Sequence, residues 1–172
     1  MKLRNTTTIP NDIIRAVVRE VCPSNVAGFT IKVTNLGHGA YRGTAFISRN
    51  SVIIRVNQRD LYCRVASSRG FPGKGYLTGY SIGGRLEALI FTVAHELRHL
   101  WQKKVTRGWR VWGARGQYSE RDADAYGLQM VRKFRRGEMP TLLGVTLGDC
   151  PKLKKVVPLP KKTTPVPGLK AA

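Results

Sequence analysis

Apolar positions along the chain follow two rhythms, one of 3.6 residues and one of two, and these divide it into helices and strands. From Pro10 to Val21, Ile13, Ile14, Val17, Val18 and Val21 gather on one side of a helix that Pro23 stops. The next segment alternates. In FTIKVTNL (29–36), Phe29, Ile31 and Val33 share one face, and Thr30, Lys32 and Thr34 the other. YRGTAFIS (41–48) and SVIIRVNQ (51–58) read as two more strands, joined as a hairpin at Arg49-Asn50. Glycines and a proline mark a loop over residues 67–75, without the spacing of a phosphate-binding loop, and LTGYSI (77–82) reads as a further short strand. Helical periodicity runs from Arg85 to about Val105 and, after the linker RGWRVWGARGQY (107–118), from Ser119 to Arg136. Beyond Gly137 periodicity is lost. The expected class is α+β, with one domain over 1–148 and an extended or disordered tail over 149–172.

Composition supports a single globular core, because 172 residues with 42% apolar side chains suffice for one and hardly for two. The tail is different: residues 151–172 hold five prolines, six lysines and no acid, which cannot build a core. Charge is lopsided, with 30 Lys and Arg against 10 Asp and Glu, a formal +20. Such a surface attracts polyanions, whether nucleic acid, anionic membrane or acidic proteins; the tail fits nonspecific nucleic-acid binding, a solvated tether or a docking segment for a larger assembly equally well. Cys22, Cys63 and Cys150 are odd in number and widely spaced, which argues against a disulfide framework. The N-terminus has no apolar signal region and no stretch reaches transmembrane length. The expectation is a cytoplasmic protein that does not enter membranes.

The chemistry concentrates in TVAHELRHLWQ (92–102). On a helix, Leu86, Ile90, Val93, Leu97, Leu100 and Trp101 form one stripe. His95 and His99 fall on the opposite side, one turn apart, near Ala88 and Thr92. An i, i+4 pair of imidazoles can meet one Zn²⁺, and Glu96 beside the first is placed as general base, the H-E-x-x-H arrangement. The plainer alternative is one surface and one core histidine.

A catalytic zinc takes three protein ligands and keeps one position open. No histidine follows the pair, and His38 precedes it in a glycine-flanked loop. The third ligand is therefore sought among carboxylates, and SERDADAYGLQMV (119–131) offers Glu120, Asp122 and Asp124. Helical phase puts Glu120 and Asp124 on the inward side with Gly127, Val131 and Phe134, and turns Asp122 and Tyr126 away. Asp122 also fits a capping box with Ser119. Glu120 has the longer reach to a metal, while Asp124 is placed to accept the distal N–H of a ligating histidine. An acidic first helical turn is the alternative explanation, but two inward acids are costly without a cation.

HELRH (95–99) followed by ERDAD (120–124) resembles the HExxH plus ExxxD signature of gluzincin-type zinc metallopeptidases. The gap of 20 residues between His99 and Glu120 is similar to that in compact members, the minimal gluzincins and the ImmA/IrrE-like proteins. The resemblance covers residues 85–130. It implies His95, His99 and Glu120 as metal ligands, Glu96 as catalytic base and Asp124 as a hydrogen-bond partner of a ligand. It further implies a small zincin-like sheet, mostly antiparallel or mixed, packed against the HExxH helix and a Glu-bearing helix.

The expected activity is hydrolysis of a protein or peptide substrate, with zinc acidifying the attacking water and Glu96 carrying its proton. Tyr118, Tyr126 and the arginines of 107–117 are candidate oxyanion donors, none of them assigned. Trp109 and Trp112 among Arg107, Arg110 and Arg115 either pack over the core or stack on a nucleic-acid strand. Two rival readings stand beside the peptidase: a basic nucleic-acid-binding or assembly protein whose zincin-like site is structural or inactive, and zinc-dependent hydrolysis of a non-peptide bond.

Overall fold

Leu3, Ile31, Val52 and Ala45 lie side by side across a four-stranded sheet, on the face that turns towards the helices. The strands are β1 (Lys2–Asn5), β2 (Thr30–Asn35), β3 (Arg42–Phe46) and β4 (Ser51–Val56), in spatial order β1-β2-β4-β3. A computed structural model describes residues 1–36, 41–57, 82–106 and 120–147. Among these, three helices complete the architecture: α1 (Asn11–Val21), α2 (Arg85–Thr106) and α3 (Glu120–Arg135). The class is α+β with a mixed sheet. Its β1–β2 and β2–β4 pairings are parallel and β3–β4 is antiparallel, so the sheet is not the mostly antiparallel form.

The alternation of β2 and β4 sets the inner face. Ile31, Val33, Val52, Ile54 and Val56 are buried, while Lys32 between them is exposed. The β3–β4 hairpin forms where expected, but its turn is a 3-10 turn over Ile47–Arg49 closed by left-handed Asn50 (φ 45°), a conformation asparagine tolerates. Alternating residues of β1 place Leu3 inward. Asn5 ends the strand by accepting hydrogen bonds from the Thr7 N–H (2.9 Å) and hydroxyl (2.7 Å). This strand is not predicted by the hydropathy pattern, since one inward apolar residue gives no rhythm. Of LTGYSI (77–82), residues 77–81 lie outside the described residues, and Ile82 belongs to no strand. The tail from 149 onward, Cys63 and Cys150, His38, Tyr118 and the linker 107–118 with its tryptophans also lie outside them.

α1 buries Ile14, Val17, Val18 and Val21, the expected stripe. α2 departs from expectation because it is buried on every side. Leu86, Ile90, Val93, Leu97 and Leu100 form the predicted stripe, but Ala88, Leu89, Phe91, Thr92 and Ala94 are buried as well. The reason is position: α1, α3 and strands β3 and β4 all pack against α2. α3 approaches closely at Gly127, where a Cβ would lie 2.9 Å from two Phe91 ring carbons and 3.2 Å from the Phe91 carbonyl oxygen. Arg135 of α3 also pairs with Glu87 of α2 through two contacts of 2.8 and 2.7 Å. At the far end of α2, the Lys103 ammonium donates to the Ile47 carbonyl (2.9 Å) and the Lys104 ammonium to the Asn25 carbonyl (3.1 Å). Among the described residues no helix is long and apolar enough to cross a membrane.

Candidate metal centre

His95, Glu96 and His99 are all buried in the middle of α2. One turn of helix separates the two histidines, and their Nε2 atoms stand 3.2 Å apart. Glu120 opens α3 and reaches both. Its Oε2 lies 3.2 Å from His95 Nε2 and its Oε1 lies 3.3 Å from His99 Nε2. Half of the Glu120 side chain is exposed, so the point of convergence opens to solvent on that side. The three residues form the group of potential metal ligands found among the described residues.

The distal nitrogens decide what that point needs. His95 Nδ1 lies 2.9 Å from Asp124 Oδ1, and a carboxylate only accepts, so this nitrogen carries the hydrogen. His99 Nδ1 lies 3.0 Å from Gln102 Oε1. The Gln102 amide is itself oriented, because its Nε2 donates to Asp122 Oδ2 at 2.9 Å. Its oxygen must therefore face His99, whose Nδ1 is the donor. Both Nε2 lone pairs then point at each other and at a carboxylate. Three electron-pair donors converging without a hydrogen between them call for a cation.

The spacing suits a metal ion. Ligands at ~2.0–2.1 Å from a tetrahedral ion stand about 3.3 Å from one another; the two Nε2 atoms stand 3.2 Å apart, and Glu120 reaches each through a different carboxylate oxygen, at 3.2 and 3.3 Å. Two imidazoles and one carboxylate form a donor set that suits a borderline divalent ion such as zinc or iron(II). Without a metal, a proton must take the cation's place. Burial alone lowers the His95 pKa, but the Asp124 and Glu120 hydrogen bonds and the Glu96 charge overcome it and push it up to about 10. Hydrogen bonds to His95 and His99 hold the Glu120 carboxyl far below the usual carboxylate range.

Glu96 sits beside the ligands without joining them, its Oε1 3.9 Å from His95 Nε2. Burial raises its pKa, opposed by the two histidines and by the backbone N–H of Ala45 in β3, which donates to the carboxylate. The strand comes this close because residue 43 is glycine. A Cβ there would lie 2.1 Å from Glu96 Cγ and 2.2 Å from Oε1.

Helical phase places Glu120 and Asp124 correctly and Asp122 wrongly. Asp122 faces α2, where Arg98 grips it through Nε (2.7 Å) and Nη2 (3.0 Å). The guanidinium of Arg98 is itself stacked 3.5 Å from the Trp101 ring centroid. Burial opposes the Asp122 charge, but the hydrogen bonds from Arg98 and Gln102 win and lower its pKa. The expected cap with Ser119 lies outside the described residues. Tyr126 is not turned outward either: its hydroxyl donates to the Val21 carbonyl at the end of α1 (2.9 Å), away from the histidines. The residues that sequence reasoning missed are Gln102, Asp122 and Arg98. One signal was available, since Gln102 stands three positions after His99 and must share its side of the helix.

No protein-family model, no curated protein and no solved structure matches this chain.

Proposed function

We propose that the protein is a zinc-dependent metallopeptidase that hydrolyses peptide bonds with Glu96 as general base. His95, His99 and Glu120 would hold the metal, and the observation that carries the reading is the convergence of both imidazole Nε2 atoms and the Glu120 carboxylate on one point. The likeness of HELRH and ERDAD to the gluzincin signature supports it. When bound, zinc supplies a Lewis acid that acidifies water towards neutrality and polarises a carbonyl.

The chain's own groups do the rest. Asp124 and Gln102 keep hydrogen on both Nδ1 atoms, which leaves both Nε2 atoms free to donate electron pairs. Glu96 is fixed by Ala45 and kept from dense hydration, so its carboxylate is more basic than in water. It takes a proton from the attacking water as the new carbon–oxygen bond forms. It then delivers that proton to the amine nitrogen as the carbon–nitrogen bond breaks. A purely structural metal site has no use for an acid held in this place.

The test is metal analysis and peptide cleavage on the purified full chain. Wild type should hold one zinc and cleave. His95→Ala and Glu120→Ala should lose both properties, while Glu96→Gln should keep the metal and lose cleavage by about 10²-fold or more. Retained cleavage in Glu96→Gln would refute the assignment of the base. A wild type that takes up no metal would refute the site.

A further inference from the structure

Alternate residues of the sheet point away from the helices and compose a second surface. Register places Lys2, Thr30, Ser51 and Phe46 in one row and Arg4, Lys32, Ile53 and Thr44 in the next, followed by Thr34, Arg55 and Arg42. The five cations Lys2, Arg4, Lys32, Arg42 and Arg55 share this face with four hydroxyl side chains and no acid. Lys2, Arg4, Lys32 and Arg42 are exposed. Among the described residues, the helices that pack on the sheet lie against its other face, where Gly43 meets Glu96.

Two of the cation pairs are directly opposed. Arg42 pairs in register with Arg55 across the antiparallel ladder, and Arg4 with Lys32 across the parallel one. Like charges in such positions destabilise a sheet. None of the five makes an ion pair among the described residues; Arg55 Nη1 instead donates to the Thr44 hydroxyl (3.0 Å). A face that concentrates repulsion in this way is suited to an external polyanion. We propose that the open face of the sheet binds single-stranded nucleic acid through its phosphates, independently of base sequence.

The details favour this occupant. The face measures about 14 Å across its four strands and up to about 20 Å along them, enough for a few nucleotides and too narrow to cradle a duplex. Lys2 and Arg4 alternate along β1, and Arg4–Lys32 and Arg42–Arg55 are cross-strand neighbours, so the charges spread over all four strands as a band that a phosphate backbone can follow. Thr30, Thr34, Thr44 and Ser51 offer hydroxyl donors between the charges. Phe46 ends the row of Lys2, Thr30 and Ser51 at the β3 edge as a ring on which a base can stack. Phe46 and Ile53 are half-buried, so the face lacks a projecting apolar side chain that would enter a bilayer. The proposal does not depend on the metal centre, which lies on the other side of the sheet.

The experiment is fluorescence anisotropy of labelled oligo-dT and oligo-U with the full 172-residue chain across a salt series. The sheet variant replaces Arg4, Lys32, Arg42 and Arg55 with Gln. A control replaces Lys152, Lys154, Lys161 and Lys162 with Gln and so removes equal charge from the tail. The sheet variant should weaken binding of both oligonucleotides about tenfold or more and lower the salt slope by about 3, at ~0.7 per phosphate contact. It should also melt no lower than wild type, since the opposed charges are gone. The tail control should lose distinctly less. Phe46→Ala should weaken binding with the salt slope unchanged. Equal losses in the sheet and tail variants would overturn the proposal. So would wild type binding phosphatidylserine vesicles in place of the oligonucleotides, or binding neither.

Discussion

Residue 43 and Glu96 occupy adjoining space that leaves no room for a methyl group, since a Cβ on Gly43 would overlap the Glu96 side chain at 2.1 Å. The backbone of β3 is thereby pressed against the carboxylate that Ala45 hydrogen-bonds. Gly43→Ala should displace Glu96 rather than the metal ligands. A shift of about 1 Å in a reacting group costs on the order of 10²-fold in rate. Peptide cleavage should fall by about that factor while zinc content stays at the wild-type level. Loss of zinc in this variant would show that β3 also supports the histidines.

The network behind His99 gives a second prediction. Gln102→Ala removes the acceptor of the His99 Nδ1–H, and Asp122→Ala frees the amide to turn. Each should weaken zinc binding by about 10–100-fold, read by competition with a chromogenic chelator. Asp124→Ala should do the same through His95. The double Gln102→Ala/Asp122→Ala should cost little more than Gln102→Ala alone, because Asp122 acts through the glutamine.

Acidity offers a third. In the metal-free protein the His95 pKa stands at about 10, above its ordinary 6.5. The proton therefore contributes its full stabilisation below about pH 6.5, and that contribution disappears as pH rises through 10. Glu120 has the opposite sign: its lowered pKa contributes above its ordinary value and is lost as pH falls through the acid range. The melting temperature of chelator-treated protein should decline from pH 6.5 to 10, while the zinc-loaded protein should hold steadier there. Zinc affinity should rise over the same window as the competing proton leaves. A flat or rising melting temperature in the chelated protein between pH 7 and 10 would contradict the charge balance described for His95.

Packing gives the fourth. Gly127→Ala inserts a methyl group 2.9 Å from the Phe91 ring and 3.2 Å from its backbone oxygen, where α2 and α3 cross. Relief requires the helices to part. The variant should unfold about 1–3 kcal/mol more easily, measured by chemical denaturation. It should also bind zinc more weakly, since Glu120 rides on the helix that moves.

Rhythm in the sequence reveals α1, β2, the β3–β4 hairpin, α2 and α3, because each carries a regular apolar pattern. It does not reveal β1, whose Lys-Leu-Arg-Asn has one inward apolar residue and joins the sheet through backbone hydrogen bonds. Parallel pairing is equally silent, being a matter of crossover rather than of side-chain pattern. In the site, spacing brings out His95, Glu96, His99, Glu120 and Asp124, whose positions follow from two helical phases. Asp122 was misplaced because phase measures an angle around one helix, whereas Arg98 and Gln102 reach across from another. The close approach at Gly43 depends on how the sheet leans on α2, which no local pattern encodes.

β3 belongs to two surfaces by turns. Gly43 and Ala45 look towards Glu96, while Arg42, Thr44 and Phe46 look to the open side. Shifting its pairing with β4 by a single residue would reverse every side chain at once. A threonine or an arginine would then press on the buried acid, and the outer array would lose its charge on this edge. The hairpin turn at Ile47–Asn50 thus works as an alignment key, keeping both faces in phase with one backbone.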